Sequence, residues 1–109
     1  MTDPRAAALA PIEPASVPDE PRDHRLRRLR MRSWRRGMRE MDLLLGPYAD
    51  ADIEALAPAD LAQYEALLPE NDQDLYLWLT KGRDVPDRHR QALSRIAAFH
   101  GIGDRASDA

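Results

Sequence analysis

The chain has 109 residues, a formal net charge of -3 and no cysteine. The length fits one small domain, and the lack of cysteine excludes disulfide scaffolds, iron–sulfur clusters, zinc ribbons and thiol nucleophiles. The five glycines are too few to favour a glycine-rich nucleotide loop, and no apolar run approaches the roughly 20 residues that a membrane span needs.

Residues 1–22 predict a disordered tail, because five of the nine prolines fall there and few large apolar side chains accompany them. The stretch lacks the apolar block of a secretory signal peptide and is too acidic for a mitochondrial transit peptide. At the other end, residues 102–109 are short and polar and predict a frayed C-terminus. The folded domain is therefore expected over residues 23–101.

The first predicted helix begins after Asp23, whose carboxylate can cap free backbone N–H groups. It runs to about residue 36 and turns three side chains inward: Leu26, Leu29 and Trp34. Gly37 then predicts a break. The second helix follows, with one apolar face built from Met38, Met41, Leu44, Leu45 and Tyr48. Pro47 near its end weakens the expectation for its last turn.

Pro58 suits the first turn of a third helix, which Pro69 ends. Asn71 or Asp72 can cap a fourth helix, and a cation followed by Gly82 gives its stop signal. Asp87 can cap a fifth helix, which carries its apolar residues at helical spacing up to Gly101. Strand signals are weak throughout. The prediction is an all-α fold, a compact five-helix bundle in which each short helix is stabilised by packing against the others.

Charge is distributed unevenly along these helices. Residues 22–40 contain nine arginines and two acids, whereas residues 41–80 contain nine acids and no lysine or arginine. Three interpretations of the basic segment stay open: phosphate contacts to a nucleic acid, intramolecular packing beside the acidic segment, and a basic surface that docks a protein. The segment lacks interleaved Phe or Tyr for base stacking.

Catalytic and metal-binding motifs are weak. The three histidines, His24, His89 and His100, lie far apart, with no spacing such as H-x-x-x-H that would place two ligands together on one helix face, and no serine lies in a G-x-S-x-G motif. Three acids form a D-x-D-x-E cluster between helices: Asp50, Asp52 and Glu54. The cluster lacks the glycine and the final glutamate of an EF-hand loop. We therefore predict no catalytic residue and no metal site.

The most informative stretch is R-R-G-M-R-E-M-D at residues 35–42. Taken alone, Gly37 could end a helix, and Arg36 with Glu40 could form a surface ion pair worth a few tenths of a kcal/mol. The stretch nevertheless resembles the R-G-x-x-E signature of the succinate dehydrogenase assembly factor family, called SdhE in bacteria. Asp42 stands where that family tends to place an aspartate.

Further blocks carry the same resemblance in the same order. Arg32-Ser33 resembles the opening of the family signature, and Pro47-Tyr48 resembles the pair that ends its second helix. The D-x-D-L-x-x-W-L motif of the fourth helix is matched by Asp72, Asp74, Leu75, Trp78 and Leu79. The resemblance covers about residues 25–100. The long proline-rich start and the many arginines before residue 35 depart from the family pattern.

The resemblance implies a five-helix protein of the bacterial cytoplasm that is not itself an enzyme. Such a protein binds the flavoprotein subunit of succinate dehydrogenase, and of fumarate reductase in some bacteria, and promotes covalent attachment of FAD to a histidine of that subunit. The implied partner-binding residues are Arg36, Gly37 and Glu40, with Arg35, Arg39 and Asp42 beside them. No tightly bound cofactor, nucleic acid or membrane insertion is expected, and a monomer satisfies these roles. The alternative is a nucleic-acid-binding or antitoxin-type interaction module that uses the arginine-rich first helix.

Overall fold

A computed structural model of the protein describes residues 19–102. These residues form five α-helices and one short 3₁₀ helix, and they contain no β-strand. The elements are α1 (Arg22–Trp34), α2 (Arg39–Asp52), the 3₁₀ helix (Ile53–Ala55), α3 (Pro58–Leu67), α4 (Asp72–Lys81) and α5 (Asp87–Phe99). The predicted all-α five-helix architecture is confirmed. Most of the two predicted tails, residues 1–18 and 103–109, lies outside the described residues.

Two predicted N-caps are wrong: the cap of α1 by two positions and the cap of α5 by one. Helix α1 begins at Arg22 after Pro21, so Asp23 lies inside the first turn. There its carboxylate faces the positive end of the helix dipole instead of accepting a capping hydrogen bond. Helix α5 likewise begins at Asp87 after Pro86. Both prolines hold the extended backbone that precedes a helix, which places each aspartate within the helix.

The predicted boundaries of α3 and α4 are confirmed. Pro58 is the first residue of α3, where a missing N–H costs nothing. The side chain of Asn71 accepts hydrogen bonds from two amides in the first turn of α4. Gly82 ends α4 with a φ of 67° and donates its N–H to the carbonyl of Trp78, a conformation that favours glycine.

Helix α2 extends five residues beyond Pro47, to Asp52, although a weaker last turn was expected. Proline removes one hydrogen bond from the helix interior. Burial offsets this loss, because Leu45, Tyr48 and Ala49 on either side of Pro47 are buried in the core. Tertiary packing thus overrides the local preference of the proline.

The core lies where the apolar faces of all five helices meet. Tyr48 and Tyr64 stack near its centre with ring centroids 5.4 Å apart. Its buried apolar side chains are Leu26, Leu29, Met41, Leu45, Tyr48, Ala49, Ile53, Leu61, Tyr64, Leu67, Leu68, Leu75, Leu79, Ala92, Leu93 and Ile96. None of the helices within residues 19–102 combines the length and the apolar character needed to cross a bilayer.

Trp34 corrects one predicted core position. It is 41 % exposed, and its indole Nε1 donates to Asp50 on α2 at 3.0 Å. The indole ring fills the space that a β-carbon at Gly46 would occupy. Held by Asp50 and seated on Gly46, this side chain covers the outside of α2 instead of entering the core.

Candidate functional site

The signature residues lie in the connection between α1 and α2, which we call the RG turn (residues 35–38). Two carboxylates hold consecutive backbone amides of this turn. Asp42 of α2 accepts the N–H of Arg36 at 2.6 Å, and Asp72 of α4 accepts the N–H of Gly37 at 2.9 Å. Hydrogen bonds with a charged partner are the stronger kind. The RG turn is therefore fixed to two different helices.

The side chain of Arg36 points into the molecule and is only 8 % exposed. Its Nε donates to Asp72 at 2.6 Å, and its two terminal nitrogens donate to the carbonyls of Leu68 and Glu70 at 2.6 and 2.9 Å. Leu68 follows the last residue of α3, and Asp72 begins α4. The cation thus lies at the negative end of one helix dipole, and its carboxylate partner lies at the positive end of the next.

Gly37 is exposed and lies directly beside the carboxylate of Asp72. A β-carbon at this position would stand 3.3 Å from Asp72 Oδ2, which is tighter than most such contacts. Glycine therefore allows the backbone amide to approach the carboxylate closely while its other side remains open to solvent.

The other signature side chains face outward. Arg35, Arg39 and Glu40 are exposed, and none of their side chains forms a hydrogen bond or ion pair with another residue of the described part of the chain. The six predicted partner-binding residues thus divide into two groups. Arg36 and Asp42 make contacts within the molecule, whereas the three charged side chains and Gly37 form a surface. Their contact with a partner stays a prediction.

A buried carboxylate, Glu65 of α3, binds two arginines of α1. Glu65 is 2 % exposed, and its oxygens lie 2.7 Å from Arg25 Nε and 2.6 Å from Arg28 Nη2. The guanidinium of Arg28 donates hydrogen bonds to Glu20 and to Glu65, and these bonds, the one to Glu20 most of all, raise the pKa of Arg28 above its ordinary value. The intramolecular interpretation of the basic segment therefore holds for these arginines. Sequence reasoning missed Glu65, although an acid next to Tyr64 on the apolar side of a helix is a signal for a buried ion pair.

The histidines lie apart and do not form a site. His24 is exposed on α1. His89 of α5 is buried, and its Nε2 donates to the carboxylate of Glu70 at 2.6 Å. His100 donates from Nε2 to the carbonyl of Leu44 at 2.7 Å. The hydrogen bond from His89, followed by one from Arg88, lowers the pKa of Glu70.

The D-x-D-x-E cluster was expected between helices, but Asp50 and Asp52 lie in the last turn of α2, and Glu54 lies in the 3₁₀ helix. These acids also have structural contacts. Asp50 accepts the indole N–H of Trp34, and Glu54 forms a long ion pair with Arg30 at 3.4 Å. Across residues 19–102, no group of three or more His, Asp or Glu side chains is arranged to hold a metal ion.

Comparison with known proteins places these features in a family. A family model described as flavinator of succinate dehydrogenase, Sdh5, matches residues 27–100. The chain belongs to this family. The matched range includes the RG turn, Glu65 and the start of α4, so the contacts made by Arg36 and Asp72 lie within the part of the chain that the family model matches.

Several curated relatives support this membership. Succinate dehydrogenase assembly factor 2, mitochondrial, from Meyerozyma guilliermondii is 38% identical over 90 residues, covering 80% of this chain and 67% of the relative. The protein of the same name from Dictyostelium discoideum is 34% identical over 78 residues, covering 72% of this chain and 55% of the relative. Assembly factor 2-B, mitochondrial, from Drosophila persimilis is 34% identical over 85 residues, covering 76% and 54%. The matched part of the chain thus spans about half to two thirds of these relatives. No solved structure matches the chain.

Proposed function

We propose that this flavinator family member is an assembly factor that binds the flavoprotein subunit of succinate dehydrogenase and promotes covalent attachment of FAD to a histidine of that subunit. The observation that carries the proposal is the RG turn. Its backbone is held by Asp42 and Asp72, and Gly37, Arg39 and Glu40 are exposed beside these two contacts. A backbone that is ordered before binding loses little entropy when a partner docks.

The proposed role is positional and not catalytic. In the attachment reaction, the 8α-methyl group of FAD loses a proton, a nitrogen of the partner's histidine bonds to that carbon and loses its own proton, and the flavin takes up the two protons and the electron pair and is left in its reduced form. Such a step is fastest when the reacting atoms are held about 3–3.5 Å apart. A docked factor can favour this geometry by fixing the arrangement of the flavoprotein. Gly37 lets the two backbones approach closely, and Glu40 and Arg39 can pair with charged groups of the flavoprotein.

Arg36 and Asp42 contribute to this surface from inside the molecule. Arg36 joins the RG turn to the connection between α3 and α4, and Asp42 fixes its backbone amide. In this proposal, the signature arginine sets the shape of the surface, and the neighbouring Arg35, Arg39 and Glu40 make the direct contacts.

We propose that the protein acts as a monomer and has no tightly bound cofactor of its own. We place it in the bacterial cytoplasm, whereas the names of the relatives include the word mitochondrial. The sequence contains no G-x-G-x-x-G dinucleotide motif. Fumarate reductase is a second candidate flavoprotein partner. Light scattering of the purified chain tests the monomer, and cell fractionation tests the location.

The decisive experiment measures covalent flavin. The flavoprotein subunit is expressed in a strain that lacks its own assembly factor, together with the wild-type chain, Glu40→Ala or Arg39→Glu, and in-gel flavin fluorescence is recorded. Glu54→Ala is the matched control, because Glu54 is 76 % exposed and lies 14 residues beyond Glu40. Loss of a central interface residue typically weakens binding by about tenfold or more, so both test variants should lower the covalent flavin while the control does not.

Two outcomes would contradict the proposal. If the wild-type chain gives no more covalent flavin than an empty vector, the flavinator role fails for this chain. If the wild-type chain works and both test variants work equally well, the assignment of the surface around the RG turn fails. Circular dichroism of each purified variant establishes that the helices are intact.

A further inference from the structure

The arginines of α1 divide into an internal and an external group. Arg25 and Arg28 bind the buried Glu65, and Arg22 donates to the carbonyls that follow α2. Arg27 is different, because its side chain is exposed and makes no hydrogen bond or ion pair with any other residue among 19–102. Arg35 shares this property. The intramolecular contacts of α1 therefore account for only part of its positive charge.

Arg27 and Met31 are four residues apart on α1, and such residues are neighbours on a helix surface. Arg35 is the first residue after α1 and lines the same depression as Met31. Met31 is 47 % exposed, so an apolar side chain lies in the open between the two charged ones. Arg35 belongs to the RG turn, so the line formed by Arg27, Met31 and Arg35 leads to the proposed flavoprotein-binding surface.

The surface around Arg27, Met31 and Arg35 is concave. Two adjoining depressions of about 250 and 390 Å³ share Met31 and Arg32 in their walls. Arg35 and Arg36 also line the smaller depression, and the larger one is also lined by His24, Arg27 and Arg28. We call this combined feature the basic groove. It extends along α1 from its first turn to the RG turn.

The chemistry of the basic groove selects its occupant. Guanidinium groups bind carboxylates through two parallel hydrogen bonds, and methionine adapts to apolar side chains of different shapes. A single-stranded nucleic acid is a poorer match, because its binding needs aromatic rings on which bases stack, and no Phe, Tyr or Trp lines either depression. The spacing of charge, apolar surface and charge fits an acidic protein segment that carries an apolar residue between its carboxylates.

We propose that the basic groove is a second contact with the same flavoprotein and binds an acidic surface segment of it. This inference rests on the proposed function and extends the interface from the RG turn along α1. Rim charges of this kind act mainly on the association rate, through long-range attraction. The groove would therefore speed capture of the flavoprotein, and the RG turn would set the geometry of the complex.

The test measures the association and dissociation rates of the full chain with the purified flavoprotein subunit by surface plasmon resonance. Arg27→Glu is the test variant, and Arg83→Glu is the matched control, because Arg83 is exposed beyond the far end of α4 and carries the same charge. At about 50 mM salt, Arg27→Glu should reduce the association rate constant about tenfold. Arg83→Glu should change it less than about twofold, and Met31→Ala should raise the dissociation rate several-fold.

Each result separates this inference from the proposed function. If the wild-type chain does not bind the flavoprotein at all, both fail. If the wild-type chain binds, but Arg27→Glu and Arg83→Glu change association equally, the basic groove is not a contact and the RG-turn proposal stands. A 20-base-pair DNA duplex serves as the competing probe. If Arg27→Glu abolishes DNA binding and leaves flavoprotein association unchanged, the groove belongs to a nucleic acid and the inference is overturned.

Discussion

The guanidinium of Arg36 and the carboxylate of Asp72 meet at 2.6 Å, with the two residues 36 positions apart in the sequence. The same carboxylate accepts the amide N–H of Gly37. The contact joins the R-G-x-x-E block to the D-x-D-L-x-x-W-L block that begins α4. The two most recognisable motifs of the chain are therefore one structural unit, and a change in either one alters the same surface.

Removal of Arg36 should destabilise the fold. Arg36→Ala leaves Asp72 and the carbonyls of Leu68 and Glu70 without their cation in a site that is mostly closed to water. We expect a loss of about 3 kcal/mol in the free energy of unfolding, because breaking a buried pair from one side leaves an uncompensated charge. Arg36→Lys should recover part of it, since lysine restores the charge but not the planar fork.

Urea denaturation followed by circular dichroism measures these differences. Arg39→Ala is the control, because Arg39 is exposed three residues further along, and it should stay within about 0.5 kcal/mol of the wild type. Equal stability of Arg36→Ala and Arg39→Ala would show that the contacts of Arg36 add nothing to the fold.

Glu65 should be as sensitive as Arg36. Glu65→Met removes the acceptor from Arg25 and Arg28, and we expect it to cost about 3 kcal/mol in the free energy of unfolding. The double variant Arg25→Met, Glu65→Met should recover much of this loss, because Arg28 keeps its pair with Glu20 and no unpaired charge remains near the core. Thermal unfolding of the two variants checks this order, and a double variant less stable than Glu65→Met would refute it.

The helices could be predicted from the sequence because their evidence is local. Apolar spacing, Pro58, Asn71 and Gly82 each act within one or two turns, and the structure confirms all of them. The direction of Arg36 could not be predicted in the same way. An arginine beside a glycine in a turn is compatible with solvent or with the interior, and the choice depends on three acceptors located 32–36 residues away.

Trp34 shows a second limit of sequence reasoning. Its apolar character favoured a core position, but its indole N–H binds Asp50 and its ring lies on Gly46, two residues of a different helix. The same limit applies to charge, because the sequence alone does not tell which arginines pair with Glu65 and which line the basic groove. The excess of arginine was visible in the sequence, whereas the division between Arg25, which binds Glu65, and Arg27, which faces solvent, depends on how α1 lies against α3.

Acid should weaken the contact between Glu70 and His89. The hydrogen bond from His89 holds the pKa of Glu70 below its ordinary value of 4.5. The unfolded chain then takes up the proton at a higher pH than the folded chain does. The stabilising contribution is therefore complete above about pH 4.5 and is lost as the pH falls through the folded-state pKa.

Urea midpoints measured between pH 6 and 3 check this dependence. The difference between the wild type and Glu70→Gln should be largest near pH 6 and should shrink as the pH falls below about 4.5. Glu54→Gln, which removes an exposed carboxylate, serves as the control and should follow the wild type. A difference between wild type and Glu70→Gln that stays constant down to pH 3 would contradict the assignment.

Gly46 and Trp34 offer a test in which a substitution changes sign. Gly46→Ala would place a methyl group inside the indole ring of Trp34, and we expect it to cost about 1–3 kcal/mol, the usual range for overpacking. In a Trp34→Ala background the ring is absent, and alanine inside a helix is about 0.5–1 kcal/mol more favourable than glycine. The same substitution should then stabilise the protein.

Urea unfolding of the four chains of this double-mutant cycle measures the interaction between the two positions. Equal effects of Gly46→Ala in both backgrounds would mean that the indole does not lie on Gly46, because only a direct contact between the two residues couples them in this way.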